Sequence, residues 1–375
     1  MAGIYIHIPF CKQACNYCNF HFSVSLTNKD AITKAIVTEI LLSNDFIDDK
    51  NIETIYFGGG TPSLLNIEEI AILFKTIREK FIVSSNAEIT LEANPDDITT
   101  TSLQNWMSFG VNRLSVGLQS FNEAELKWMN RAHNALQSIN CLDEIEKAGI
   151  KNYSVDLIYG SPLQTDEILK KNFEIITSRN VPHISCYALT VENKTKLNKQ
   201  IKENKSPNID TEKQALQFHL LLEMMEAAGY EQYEISSFCK QGFRSKHNSS
   251  YWQGKPYFGF GPSAHSFNGY NKRRWNIANN SLYLQSLKNN IIPYEEETLT
   301  DAERLNEYVM TAVRTIEGIN LNKIINDFGL NQQERILLQA QKYFDSKKIE
   351  QTGSYLNLTK EGKFFADGIA SDLFL

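Results

Sequence analysis

The chain has 375 residues, 42% of them hydrophobic and 22% charged, with a formal net charge of −6. That length suits one large domain with a smaller companion. The charge balance excludes the broad basic face of a nucleic-acid binder. No apolar run reaches the ~20 residues of a membrane-spanning helix, and the first residues show neither a charged leader region nor a small-residue cleavage site, so a cytoplasmic protein is expected.

In chain order, β-rich runs at 4–8, 54–59, 88–94, 113–119, 153–160 and 183–189 alternate with helical patterns at 29–44, 66–79, 99–108, 134–148, 165–178 and 211–228. In the helical stretches apolar residues recur at three- and four-residue spacing, as at Ala135, Ile139, Leu142 and Ile145. Gly149 and Gly229 stand as C-terminal stops of two of them. Strand–helix alternation predicts a parallel sheet. Six such units suit an open, partial (β/α)6 barrel over residues 1–230, an α/β fold whose site lies at the C-terminal ends of the strands. Residues 231–294 are rich in Gly, aromatic and Ser/Asn residues and read as a connecting region. Residues 295–375 read as a small α+β domain with a hairpin near Ile349–Thr359. The basic run Lys272, Arg273 and Arg274 reads as a solvated loop.

Of six cysteines, three fall within eight residues: Cys11, Cys15 and Cys18, spaced C-x3-C-x2-C. Three thiolates on one tight loop can each take one iron of a cubane and leave the fourth iron open to a ligand. A structural zinc site, the competing reading, wants a fourth ligand, for which only His7 and His21 are near. Those two histidines are expected to shape the loop. Cys141, Cys186 and Cys239 are scattered and read as small core residues.

Gly58-Gly59-Gly60-Thr61-Pro62 follows the second strand, where glycines let a ligand approach the backbone. Glu92, Gln119, Arg131 and Asp156 are polar where parallel strands are buried on both faces. Each taken alone is as readily a satisfied structural group as a ligand contact. Together, at successive strand ends, they suggest a polar cradle.

The C-x3-C-x2-C loop resembles the hallmark of the radical S-adenosylmethionine enzymes. The resemblance implies a [4Fe–4S] cluster on Cys11, Cys15 and Cys18 whose open iron binds the methionine moiety, and cleavage of the sulfonium to a 5′-deoxyadenosyl radical. Tyr5–Cys11 (YIHIPFC), Gly58–Ser63 (GGGTPS), Ser115–Gln119 (SVGLQ) and Asp156–Gly160 (DLIYG) resemble the oxygen-independent coproporphyrinogen III oxidase group over nearly the whole chain. By that resemblance Tyr5, Tyr17, Gly59, Gly60, Thr61, Glu92, Gln119, Arg131 and Asp156 match adenosylmethionine-contacting positions.

Two departures shift the expectation within that group. Phe20 stands where the oxidases carry a further cysteine, and only ten residues precede Cys11. Both features, together with His247-Asn-Ser-Ser-Tyr251-Trp252, resemble the HemW-type heme chaperones with their HNxxYW signature. That family implies heme as a third bound group, with His247, Tyr251 and Trp252 as candidate contacts and His265 as a second candidate ligand. It also implies a heme-accepting partner, possibilities including a respiratory or membrane-bound acceptor met peripherally, an unidentified electron donor, and room for a homodimer. Radical decarboxylation of coproporphyrinogen III, or radical chemistry on another substrate, are the alternatives.

Overall fold

The structure is a computed structural model and describes residues 2–43 and 46–375. Six parallel strands build the barrel wall in sequence order: β1 (Ala2–Ile8), β2 (Asn51–Gly59), β3 (Ile82–Ala93), β4 (Arg113–Gln119), β5 (Tyr153–Tyr159) and β6 (His183–Ala188). On each strand one face is apolar and packs under the helices. Ile4, Ile6, Phe57, Leu91, Leu114, Val155 and Ile184 are all part of this one core. The other face points into the barrel and is polar: Thr54 and Tyr56 on β2 share a face, as do Glu88 and Glu92 on β3.

Six helices flank these strands: α1 (Lys29–Leu42), α2 (Ile67–Lys80), α3 (Thr100–Ser108), α4 (Glu123–Trp128), α5 (Ala135–Lys147) and α6 (Asp166–Ser178). Their starts are written in the sequence. Asn66 and Glu69 form a reciprocal capping box at α2, and Asn134 and Gln137 form another at α5. The short α4 was not expected from periodicity, being less than two turns long.

Two more helices, α7 (Lys196–Lys202) and α8 (Thr211–Ala227), precede the segment that departs most from expectation. Residues 231–294 extend both edges of the sheet. β7 (Glu231–Glu234) and β8 (Ser237–Cys239) add antiparallel beyond β6. After α9 (Lys246–Trp252), β9 (Tyr257–Phe260) pairs parallel with β1, and β10 (His265–Phe267), β11 (Lys272–Asn276) and β12 (Tyr294–Thr298) follow antiparallel. The result is one open twelve-stranded sheet. The basic run 272–274 is therefore a strand and not a solvated loop. Its charges are matched, Arg274 to Glu296 across the ladder at 2.5 Å and Arg273 to Glu307 beyond the sheet at 2.6 Å. Glu39 of α1 fastens this segment to the barrel. Fully buried, it accepts hydrogen bonds from the Gly261 amide (2.8 Å), Asn276 (2.6 Å) and the Tyr283 hydroxyl on the helix α10 (Asn280–Lys288).

Beyond Thr298 a second core forms around Leu305, Val309, Ile324, Ile336, Leu356 and Ile369. It carries α11 (Asp301–Val313) and a small sheet of β13 (Ile319–Asn320), β14 (Ile349–Thr352) and β15 (Tyr355–Leu358), the last two forming the expected hairpin. Among the described residues no helix is long and apolar enough to cross a membrane.

Candidate functional site

At the C-terminal ends of the barrel strands lies a cavity of about 450 Å³. Cys11, Cys15 and Cys18 form one wall of it. Their loop leaves β1 and is held by backbone bonds: Cys11 N–H donates to the Ser23 carbonyl (3.0 Å) and Asn16 N–H to that of Met129 (3.0 Å). Side chains pin it further. Lys12 reaches Asp96 (2.7 Å) and Asp97, and Asn130 donates to the Ala14 carbonyl at 2.6 Å. Burial pushes the Cys11 thiol up to about 11; Thr61 pulls it down by hydrogen bonding, while Cys18 and Cys15 add to the rise. Burial raises Cys18 as well. Such a trio is stabilised as thiolates by bound cationic metal.

The same cavity is lined by Tyr17, Gly59, Gly60, Thr61, Glu92, Gln119, Arg131 and Asp156, so all but one of the expected cradle residues meet the three cysteines in one space. The exception is Tyr5, which is not among the lining residues. It sits behind them, its ring stacked on Tyr56 with centroids 6.1 Å apart. Its hydroxyl meets His7 Nδ1 at 3.1 Å. His7 Nε2 donates to the His21 carbonyl at 2.9 Å, so Nδ1 is left to accept from the phenol. The expected loop-shaping contact of His7 is thus a bond to the far end of the cluster loop.

Close backbone packing shapes the glycine side of the cavity. A Cβ on Gly60 would stand 2.5 Å from the Phe10 carbonyl oxygen, and Gly59 has φ +106° with the His7 ring in the way. Gln119 adopts φ +67°, a left-handed backbone that a non-glycine residue occupies at a cost and that concentrates at functional sites. Arg131 spans the cavity wall. It donates to Cys15 Sγ (3.2 Å), Asn94 Oδ1 (2.9 Å) and the Gly117 carbonyl (2.8 Å), while its buried Nε has no partner among the described residues. Glu92 is held up to about 8 by burial, offset by a hydrogen bond from Tyr56 and raised further by Asp156. Burial likewise holds Asp156 up to about 6, offset by Ser185 and Arg113.

Sequence reasoning did not single out Tyr56, Ser115 or Gly117. Tyr56 donates to Glu92 Oε1 at 2.8 Å, and Ser115 to Asp156 at 3.4 Å. The available signal was period two: Thr54 and Tyr56 share the polar inner face of β2.

The HNxxYW residues lie on α9, on the floor of the barrel, and the structure separates them. His247 is 1% exposed. Its Nδ1 meets Thr54 Oγ1 at 2.8 Å and its Nε2 the Tyr251 hydroxyl at 2.8 Å, so a metal could bind either nitrogen only after one of these bonds is broken. Burial lowers its pKa to about 3, which keeps the ring neutral. Tyr251 and Trp252 instead line a second cavity of about 590 Å³, with Phe267, Tyr270, Arg273 and Tyr308. His265 lies apart on β10, exposed and stacked on Trp275 at 6.2 Å.

Comparison with known proteins agrees with this architecture. The radical SAM superfamily pattern matches residues 5–176, and the HemN C-terminal domain pattern matches residues 299–365. The chain is 30% identical over 376 residues to the Heme chaperone HemW of Mycobacterium tuberculosis, covering 99% of this chain and 94% of that protein. It is 30% identical to Heme chaperone HemW of Bacillus subtilis, covering 98% of each. With Heme chaperone HemW of Haemophilus influenzae it shares 31% identity, covering 100% of this chain and 97% of that one. In fold it is similar to coproporphyrinogen III oxidase (HemN) from Escherichia coli, with TM-score 0.86 and 21% identity over 100% of this chain and 90% of that one.

Proposed function

The chain belongs to the HemW family of the radical SAM superfamily, and from that membership we propose that it is a cytoplasmic heme chaperone. In this reading it carries a [4Fe–4S] cluster and S-adenosylmethionine in the first cavity, binds heme, and passes the heme to an acceptor protein. The observation that carries the reading is the end-to-end similarity to proteins named heme chaperones. Phe20, 68% exposed and lining the first cavity, stands where the oxidases have their further cysteine and weighs against coproporphyrinogen oxidation.

The residues of the first cavity fit the two groups. Three thiols line one space, Gly59 and Gly60 put close-packed backbone on its lining, and Arg131 Nε is a buried donor without a partner among the described residues. When bound, the cluster supplies an electron and adenosylmethionine a cleavable sulfonium. Cys11, Cys15 and Cys18 would hold the irons, while Glu92, Gln119 and Asp156 would orient the nucleoside and shield it from water. Arg131, tied to Cys15, would join the two halves of the site.

Adenosylmethionine affinity is expected to rise with pH. Glu92 and Asp156 titrate above the ordinary carboxylate range, so at pH ~6 much of the pair is protonated and neutral. A sulfonium cation favours the ionised carboxylates, so binding strengthens as pH climbs toward ~8 and levels off above it, a change of roughly tenfold. Equilibrium dialysis of cluster-loaded protein across that range checks it. Glu92→Gln should flatten the profile, and a profile that falls with pH would refute the assignment.

For heme, the second cavity supplies support: flat aromatic faces at Tyr251, Trp252 and Phe267 beside the cation of Arg273. Such a lining suits a planar tetrapyrrole with carboxylate arms. Heme titration of the anaerobically reconstituted protein should give a stoichiometric Soret band, with affinity reduced roughly tenfold in Trp252→Ala. No Soret band in the wild type would overturn the chaperone reading. Protoporphyrinogen formation from coproporphyrinogen, given dithionite and adenosylmethionine, would put the oxidase reading in its place.

A further inference from the structure

We infer that His247 is a positioning residue for the first cavity, holding Glu92 through Tyr56 across the barrel floor. The inference rests on reading that cavity as the adenosylmethionine site.

The path is short and continuous. The His247 ring lies on the ring of Tyr56, centroids 5.0 Å apart and planes 25° from parallel. Tyr56 also has the Tyr5 ring beside it, at 6.1 Å and 27°, across the β1–β2 pairing. The phenol therefore has two flat neighbours. Its hydroxyl reaches Glu92 Oε1 at 2.8 Å. Glu92 lines the first cavity.

The imidazole is itself fixed from three directions. Thr54, two residues before Tyr56 on the same face of β2, bonds Nδ1 at 2.8 Å. Tyr251, one turn on in α9, bonds Nε2 at 2.8 Å. Glu88 accepts the backbone N–H groups of Lys246 (3.1 Å) and His247 (3.0 Å). Glu88 shares the inner face of β3 with Glu92, so the strand that presents the carboxylate also holds the helix that braces its partner. Gly3 completes the seat. A Cβ there would stand 2.9 Å from Thr54 Oγ1 and 3.4 Å from His247 Cε1, so only glycine leaves the ring its full space.

Bracing matters because Glu92 has few other restraints. Burial drives its proton affinity up, and the Tyr56 hydroxyl is the foremost group drawing it back toward the carboxylate. A tilted Tyr56 would lose that bond, raise the proton affinity of Glu92 further and leave its oxygen misplaced for a cationic ligand.

The test uses full-length, cluster-loaded protein and adenosylmethionine itself in equilibrium dialysis, comparing wild type, His247→Ala, Tyr56→Phe and the double variant. Each single change is expected to weaken binding roughly tenfold, and the double variant no further, because both act through one hydroxyl. The pH midpoint of binding should move upward in both single variants, which loss of packing alone would not produce. Iron content and visible cluster absorbance should match the wild type. If His247→Ala does not fold, Tyr56→Phe and His247→Asn carry the test. Wild-type affinity in Tyr56→Phe, or additive losses in the double variant, would overturn the inference. A wild type that retains no adenosylmethionine would overturn the reading of the cavity as well, a distinct outcome.

Discussion

Replacing Cys15 by serine is expected to cut the iron bound after anaerobic reconstitution from about four atoms per chain to almost none. Two thiolates remain in such a variant, too few to hold a cubane whose fourth iron is left for substrate. Cys15 also differs from its two companions in its neighbour: Arg131 donates to its sulfur at 3.2 Å and to the Gly117 carbonyl at 2.8 Å. The substitution therefore removes both a cluster ligand and the tie between the cluster wall and the cradle wall. The fold should survive it. The loop is pinned by Lys12 to Asp96, by Asn130 to Ala14 and by the Cys11 and Asn16 amides, none of which uses the Cys15 sulfur. Iron analysis with visible absorbance reads the first effect and the thermal unfolding midpoint the second. Cys141→Ser is the matched control. That residue is 1% exposed in the apolar core, so it should cost about 1 kcal/mol of stability and no iron. Full iron in Cys15→Ser would remove the cluster from this loop.

The barrel was legible because its signals are local. Each of β1 to β6 carries apolar residues on the face that packs under the helices, and several of the helices have their caps written beside them, as at Asn66 and Asn134. The cluster loop was legible because three thiols within eight residues have few other uses. The edge strands were not. β8 and β10 are three residues each, shorter than any periodicity can mark, and their partners lie on β6 and on β9. Nothing near Lys272 announces that a strand of glutamates will lie alongside it. The floor of the site was hidden for the same reason. Thr54 and His247 touch across 193 residues of chain, so the role of the histidine depends on a register that only the folded sheet supplies. Read in sequence, His247, Tyr251 and Trp252 look like one recognition motif. In the helix they divide, with His247 turned into the barrel and Trp252 toward the second cavity.

That floor yields the largest stability effect. Arg113→Met is expected to destabilise the protein by about 3–5 kcal/mol. Arg113 is 1% exposed, the largest of the fully buried side chains, and its Nε stands 3.9 Å from the Glu88 carboxylate. Neither Nε nor Nη2 has a hydrogen-bond partner among the described residues, so the charge is held by field more than by contact. Its influence spreads through the floor. After burial, Arg113 is the next cause lowering the pKa of both His183 and His247, and it draws Asp156 downward. Without it, Glu88 keeps only the two amide donors of α9 and becomes an uncompensated buried anion, which is where the cost arises. Two imidazoles also lose the cation that helps keep them neutral. Urea unfolding with an unchanged slope and a lowered midpoint would register the loss. Adding Glu88→Gln to Arg113→Met should recover part of it, because the amide can still accept from α9 while carrying no charge. A single variant within about 1 kcal/mol of wild type would mean that the Arg113–Glu88 pair contributes little to stability. The hydrogen bonds of α9, rather than charge balance, would then hold the floor under the site above it.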